Sequence, residues 1–259
     1  MSGSKRAGFV LQDRDRRLLS EIGVMRIIDR ESVEVVAGFS SIPRANSRLL
    51  ALTRAGLLRR FFTGSIAHGR KAVYTLTSRG ADLAGSQVRG IERGSGRLVV
   101  GDRFVAHQSV VNAIYVAVKH RPSPYSDLQL RRWLSFQREL TEAVKLKPDG
   151  YCELQRGDLV RGMFLEVDLG TEPLSQWQKK TAYYIQLAVS GEFTKRFRQP
   201  QFRVLVVATS EKRLANIRAT VAKSTDKIFW FTTIESINRD GFWSPIWLRP
   251  SGNQHQSLL

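Results

Sequence analysis

Met163–Pro173 reads MFLEVDLGTEP, and this stretch decides the fold of the C-terminal half. Met163 to Val167 is a buried-strand candidate that closes on Glu166-Val-Asp168. A Gly-Thr-Glu-Pro turn then leads into a helix over Leu174 to Val189. A short apolar run bounded by turn residues suits a covered strand, and the 3.6-residue spacing behind it suits a helix. Upstream stand Lys147-Pro-Asp-Gly150, a short strand from Tyr151 to Leu154 and a turn through Gly157. Further upstream, a helix runs from Ala106 through HQSVVNAIYVAV, with Val110, Ile114 and Ala117 inward. A second helix is expected from Leu128 to Leu140, carrying Trp133, Phe136 and Glu139. Downstream come a central strand (FRVLVVA, Phe202 to Ala208), a helix from Glu211 to Val221 and a strand from Ile228 to Thr232. Strands alternating with helices predict an α/β mixed sheet covered on both faces.

The N-terminal half has a different pattern. Leu11 to Ile28 places Leu11, Leu18, Leu19, Ile22, Met25 and Ile28 on one helical stripe. Asp13 and Asp15 fall in its first turn, where carboxylates favour the helix dipole. A short helix follows over Arg30 to Ala37. Ser41-Ile-Pro-Arg44 then starts a third, with a hydroxyl cap and an early proline, that ends near Ala55 before Gly56. On that third helix Ala45, Leu49 and Leu52 share one face. Arg44, Ser47, Ala51 and Arg54 share the opposite face, with Arg48 at its edge. Leu57 to Phe62 (LLRRFF) and Lys71 to Thr77 (KAVYTLT) read as two strands of a hairpin, with Arg59 and Arg60 on the first and Arg70 and Lys71 near its tip. Ser78 to Ala84 closes this half as a helix.

Charge points to a polyanion. Across 259 residues, 41 Lys or Arg outnumber 23 Asp or Glu, a formal charge of +18. A surplus of that size favours nucleic acid. Residues 1–100 hold 18 basic residues against 8 acidic ones, and only Lys5 and Lys71 among them are lysines. The planar guanidinium fork suits phosphates and guanine edges. The single Cys152 excludes a disulfide scaffold and a cysteine-based zinc site. The longest apolar run, Val204 to Ala208, is too short for a bilayer, and no secretory signal is visible, so a cytoplasmic location without membrane partners is expected. The Gly-rich Arg89–Gly101 reads as a linker and Ser251–Leu259 as a frayed tail. The expected division is therefore 8–88, a linker at 89–101, 102–250 and a flexible tail at 251–259.

Three helices followed by a basic hairpin resembles the winged helix-turn-helix family, as do RLLALTRAGLLRRF (Arg48–Phe61) and VYTLTSRGADL (Val73–Leu83). The resemblance implies double-stranded DNA as partner, read by Arg44, Ser47, Arg48 and Arg54 in the major groove, with Arg59, Arg60, Arg70 and Lys71 on the hairpin. A winged helix used only for protein contacts is the other reading.

Pro148-Asp149, sixteen residues, then Glu166-x-Asp168 resembles the PD-(D/E)xK nuclease-like superfamily. The whole fold class is then α+β in two domains: a winged helix-turn-helix and an α/β mixed-sheet, restriction-endonuclease-like domain. The resemblance implies Asp149, Glu166 and Asp168 as ligands of Mg²⁺, which polarises a phosphate oxygen and lowers the pKa of a bound water. Asp168 stands where the superfamily has its lysine. Lys179 and Lys180 on the following helix could supply the cation, with Lys180 preferred because a tyrosine stands one turn on, and Glu139 could be an additional acid. The catalytic set would be Asp149, Glu166, Lys180 and Glu139. The alternative is a degenerate fold that only grips DNA or a partner.

In order, Asp13-Arg-Asp15, RLLALTRAGLL, VYTLTSRG, HQSVVNA, KPDG, FLEVDLGTE, KTAYY and PIWLRP resemble the replication-relaxation family of plasmids, mobile elements and phages, over roughly residues 11–250. That resemblance implies a role in DNA replication or mobilisation, with replication or relaxosome proteins and a homodimer as further partners. The chemistry would be a Mg²⁺-dependent endodeoxyribonuclease, or none in an accessory factor or transcriptional regulator. The four scattered histidines, His68, His107, His120 and His255, do not form the histidine pair that a relaxase uses to hold its metal. No Walker-type glycine loop suggests ATP use.

Overall fold

A computed structural model describes residues 9–64, 70–86 and 102–259. The expected linker at 89–101 and His68 in the hairpin loop lie outside the described residues. The fold is α+β, and the chain divides into two compact units, Met1–Val116 and Ala117–Leu259.

In the first unit, α1 (Asp13–Met25) begins where the Asp15 carboxylate accepts from the Gln12 amide at 2.7 Å. Leu18, Leu19, Ile22 and Met25 are buried along one stripe, as their spacing dictates. The Asp29 carboxylate caps α2 (Arg30–Ala37) by accepting from the Ser32 amide at 2.8 Å. Ser41 precedes α3 (Ile42–Arg54), but its hydroxyl makes no capping bond, so the expected hydroxyl cap is not formed; the Ser41 carbonyl takes the first helix bond, from the Ala45 amide at 3.1 Å. Ala45, Leu49 and Leu52 are fully buried on the inner face of α3. β1 (Leu58–Thr63) and β2 (Lys71–Leu76) pair antiparallel, with Arg60 opposite Tyr74. At α4 (Ser78–Ala84), Gly80 has no room for a side chain, because a Cβ there would lie 2.1 Å from the Leu57 carbonyl oxygen.

The sequence expectation starts the second domain at residue 102, but the compact units divide after Val116, inside α5 (Asp102–Lys119). The physical cause is where this helix buries its side chains. Val105 clusters with Ile27, Phe61 and Val73. Asn112 donates to the Ile27 carbonyl at 2.8 Å, and Tyr115 donates to Glu21 at 2.7 Å.

The second unit holds a five-stranded sheet in the order β3-β4-β5-β6-β7. β3 (Leu128–Leu134), β4 (Gly150–Arg156) and β5 (Leu159–Asp168) are antiparallel neighbours. β6 (Phe202–Ala208) and β7 (Phe229–Thr233) run parallel to β5. β3 corrects the helix expected over Leu128 to Leu140. Its residues pair with β4 through a register shift between Leu130 and Arg132, and that irregularity disguises the two-residue period. Parallel strands need crossovers, supplied by α6 (Leu174–Val189) with α7 (Glu192–Phe197), and by α8 (Glu211–Ala222). These helices cover one sheet face around Phe164, whose ring lies 4.9–5.9 Å from those of Tyr151, Tyr184, Phe193, Phe197 and Phe202. On the other face Met163, Leu165, Val167, Leu205 and Val207 are also buried. A short helix, α9 (Ile234–Asp240), follows β7.

The end of the chain is packed, not frayed. Gln256 exchanges backbone hydrogen bonds with Trp247 at 2.8 and 3.1 Å, and Leu258 is buried. Among the described residues no helix is long and apolar enough to cross a membrane.

Candidate functional site

Glu166 and Asp168 alternate with Val167 on β5 and so point to the same face, towards α6. Both are 1% exposed. A buried carboxylate needs partners, and the two find different ones.

Glu166 Oε2 accepts from Lys180 Nζ at 2.9 Å, and Oε1 accepts from the Tyr184 hydroxyl at 2.7 Å. Lys180 also reaches Glu172, at 2.8 Å. Asp149 enters from the turn before β4: its amide donates to the Leu165 carbonyl at 3.1 Å, and its carboxylate accepts from the Val167 amide at 2.7 Å. These bonds bracket Glu166 along the strand. Burial raises Glu166 to about 7 against the pull of Lys180, and the charge of Asp149 adds to the rise. Burial alone would lower Lys180, but the carboxylates of Glu166 and Glu172 raise it, so the amine is charged. Tyr184 is raised by burial and by Glu166, which keeps its hydroxyl a donor.

Asp168 belongs to a separate ion pair. Its Oδ1 accepts from Arg213 Nε at 2.8 Å, and its Oδ2 accepts from Arg213 Nη2 and from the Trp177 indole, both at 2.7 Å. The Gly170 amide adds a fourth bond at 2.6 Å. Burial would raise this carboxyl, but the bonds from Arg213, Trp177 and Gly170 outweigh it and hold it below its ordinary value.

The expected acids therefore do not act as one set. Asp149, Glu166 and Lys180 come together, Asp168 is taken up by Arg213, and Glu139 is exposed outside any helix. Among the described residues no group of three or more His, Cys, Asp and Glu side chains could hold a metal ion. The three-carboxylate set does not fit Mg²⁺. Asp149 and Glu166 remain as a pair of carboxylates close enough to repel each other, the type of donor that Mg²⁺ takes when it keeps most of its water.

Tyr184, Trp177, Glu172 and Arg213 lie outside the set of site residues expected from the sequence. Trp177, Lys180 and Tyr184 are spaced three and four residues apart on α6 and so share one face, a signal that favours Tyr184 over Tyr183 as the tyrosine behind Lys180. Nothing local marks Arg213, 45 residues from its partner.

The basic residues of the first unit also divide. Arg44, Ser47 and Arg54 are exposed on the outer face of α3. Arg60 and Arg70 are exposed on the hairpin, and Arg59 is half-buried. Arg48 is turned inward: it donates to Asp15 through Nε at 2.7 Å and to the Val10 carbonyl at 2.8 Å, and stacks on Phe9. Lys71 pairs with Asp29 at 2.6 Å and Glu31 at 3.5 Å, which ties the hairpin to the start of α2.

The sequence model of the family described as replication-relaxation matches residues 19–199. That span takes in the outer face of α3, the hairpin and the Asp149, Glu166 and Lys180 cluster. Neither the curated proteins nor the solved structures compared with the chain include a match.

Proposed function

The chain belongs to the replication-relaxation family, and from that premise we propose a double-stranded DNA-binding protein that acts in the replication or mobilisation of a plasmid, phage or other mobile element. The N-terminal unit is read as a winged helix-turn-helix that presents Arg44, Ser47 and Arg54 to the major groove, with Arg60 and Arg70 on the phosphate backbone. The Ala117–Leu259 unit is read as a nuclease-like domain whose working residues are Asp149, Glu166 and Lys180. Replication or relaxosome proteins are the expected protein partners.

One observation carries the catalytic part: the buried Glu166 carboxylate held at 2.9 Å by a charged lysine, with Asp149 bonded to the residue beside it. Asp149 and Glu166 would hold Mg²⁺, which when bound would polarise a phosphate oxygen and acidify a water. Lys180 keeps a positive charge next to those carboxylates, where charge grows on a phosphodiester oxygen as it is attacked. Tyr184 fixes the second oxygen of Glu166 and so the direction of the first. Asp168 and Arg213 act outside this chemistry, tying the end of β5 to α8.

A second reading is favoured by a specific feature. Both oxygens of Glu166 already accept hydrogen bonds inside the protein, as expected of a non-enzymatic accessory factor or transcriptional regulator with a degenerate nuclease fold. The test is incubation with supercoiled plasmid and Mg²⁺ or Mn²⁺, beside an Asp149→Ala/Glu166→Ala variant. Nicking by the natural protein alone supports the nuclease. Equal nicking by both, or duplex binding without nicking by either, moves the protein to the second reading.

A further inference from the structure

The sheet face opposite Glu166 and Asp168 carries a row of arginines. Side chains alternate along a strand, so Arg161 lies on the same face of β5 as Met163. Met163 is level with Arg203 on β6, and Leu205, two residues on, is level with Trp230 on β7. Arg161, Arg203 and Trp230 therefore share that face. Arg249, from the chain after α9, comes over the same indole: the guanidinium carbons of Arg203 and Arg249 lie 4.5 and 4.6 Å from the Trp230 ring centroid.

The hydrogen bonds of these arginines go to neutral groups. Arg203 donates to the Leu258 carbonyl, and Arg249 to the carbonyls of Asp226 and Lys227. Among the described residues no carboxylate forms an ion pair with Arg161, Arg203 or Arg249, and all three are half-buried. Burial and the charges of Arg161 and Arg249 push Arg203 down to about 10. Burial lowers Arg249 as well, in spite of the charge of Asp226. Cations taken from water without a counter-ion are costly, so an anion bound there would relieve them. Access is open on one side, where Arg161 lines a shallow cleft of about 50 Å³ with Leu128, Leu154, Arg156, Leu159 and Leu259.

We propose that Arg161, Arg203 and Arg249 form a second phosphate-binding surface, which holds the backbone of double-stranded DNA at the end of the sheet where β5, β6 and β7 begin, on the side opposite the carboxylates. The guanidinium fork matches two oxygens of one phosphate, a match that an ammonium lacks. Trp230 spaces two of the forks and shields one side of each from water. This surface extends the DNA-binding reading above and rests on it. It adds contacts that belong to the Ala117–Leu259 unit and not to α3 or the hairpin.

The test uses the full chain and a fluorescein-labelled random-sequence duplex, with affinity read by anisotropy over a range of KCl. Each phosphate contact contributes about 0.9 to the slope of log K against log salt. Arg161→Gln is expected to lower that slope by about 0.9 and Arg161→Gln/Arg249→Gln by about 1.8, with the thermal midpoint as the control for folding. Arg161→Lys should keep the salt slope but bind more weakly than the natural protein, because it keeps the charge and loses the fork. Unchanged affinity and slope in both Gln variants, while the natural protein binds the duplex, overturns this surface alone. Failure of the natural protein to bind any duplex at low salt overturns the DNA reading itself. Loss of polyglutamate binding in the Gln variants with duplex binding intact overturns the surface in favour of an acidic protein partner.

Discussion

Replacing Arg213 with methionine tests the ion pair that ties β5 to α8. The Asp168 side chain is completely buried, and Arg213 grips both its oxygens, at 2.8 and 2.7 Å. Removing one partner of a buried pair leaves an uncompensated charge and costs about 3–5 kcal/mol. The Trp177 indole and the Gly170 amide remain bonded to Asp168, so Arg213→Met is expected near the lower end, about 3 kcal/mol. For a protein of this size each kcal/mol moves the melting midpoint by roughly 2–4 °C, so the midpoint should fall by roughly 6–12 °C. Removing the stranded charge as well, in Asp168→Asn/Arg213→Met, should restore more than half of that loss. Thermal unfolding followed by tryptophan fluorescence reads both variants, since Trp177 touches the pair. The pH dependence has a definite sign. The folded Asp168 carboxyl titrates below its unfolded value, so its stabilisation is present above about pH 4 and is lost as pH falls through the folded value. The gap between the natural protein and Asp168→Asn should therefore close in acid. A loss below about 1 kcal/mol in Arg213→Met, or a double variant no more stable than the single one, would refute the reasoning.

Further outcomes follow from other sites. Burial puts Glu166 at about 7, above its ordinary 4.5, so its contribution to stability is present in acid and lost as pH rises through 7. That loss amounts to about 3 kcal/mol, and urea unfolding of Glu166→Gln from pH 5 to 8 should give a flatter profile than the natural protein. Gly162→Ala would set a Cβ 2.5 Å from the hydroxyl of Tyr151, which is buried and bonded to Glu153. Overpacking there should cost about 1–3 kcal/mol in the same assay; an unchanged midpoint would mean that the Tyr151 ring can yield. Arg44→Ala/Arg54→Ala should weaken duplex binding and reduce the salt slope by about 1.8, while Arg48→Ala should act mainly on stability by stranding Asp15. Equal loss of DNA affinity without loss of stability in Arg48→Ala would mean that Arg48 faces the DNA after all.

Residues whose structure depends on near neighbours could be read from the chain alone. The limits expected for α2, α4, α6 and β6 coincide with those observed, because helical stripes, caps and a compact apolar run are local signals. The same holds for the inner face of α3 and for the shared direction of Glu166 and Asp168. The helix expected over Leu128 to Leu140 is not formed: a register shift hides the alternation of β3, and pairing with β4 is what makes Leu128–Leu134 a strand. Which charges stay available to a ligand was settled by folding. Arg48 meets Asp15 across 33 residues and Arg213 meets Asp168 across 45. Lys71 closes on Asp29 in the same way. A buried charge takes whichever opposite charge the packing brings to it. Side-chain type and spacing therefore name the candidates, and contacts distant in sequence choose among them.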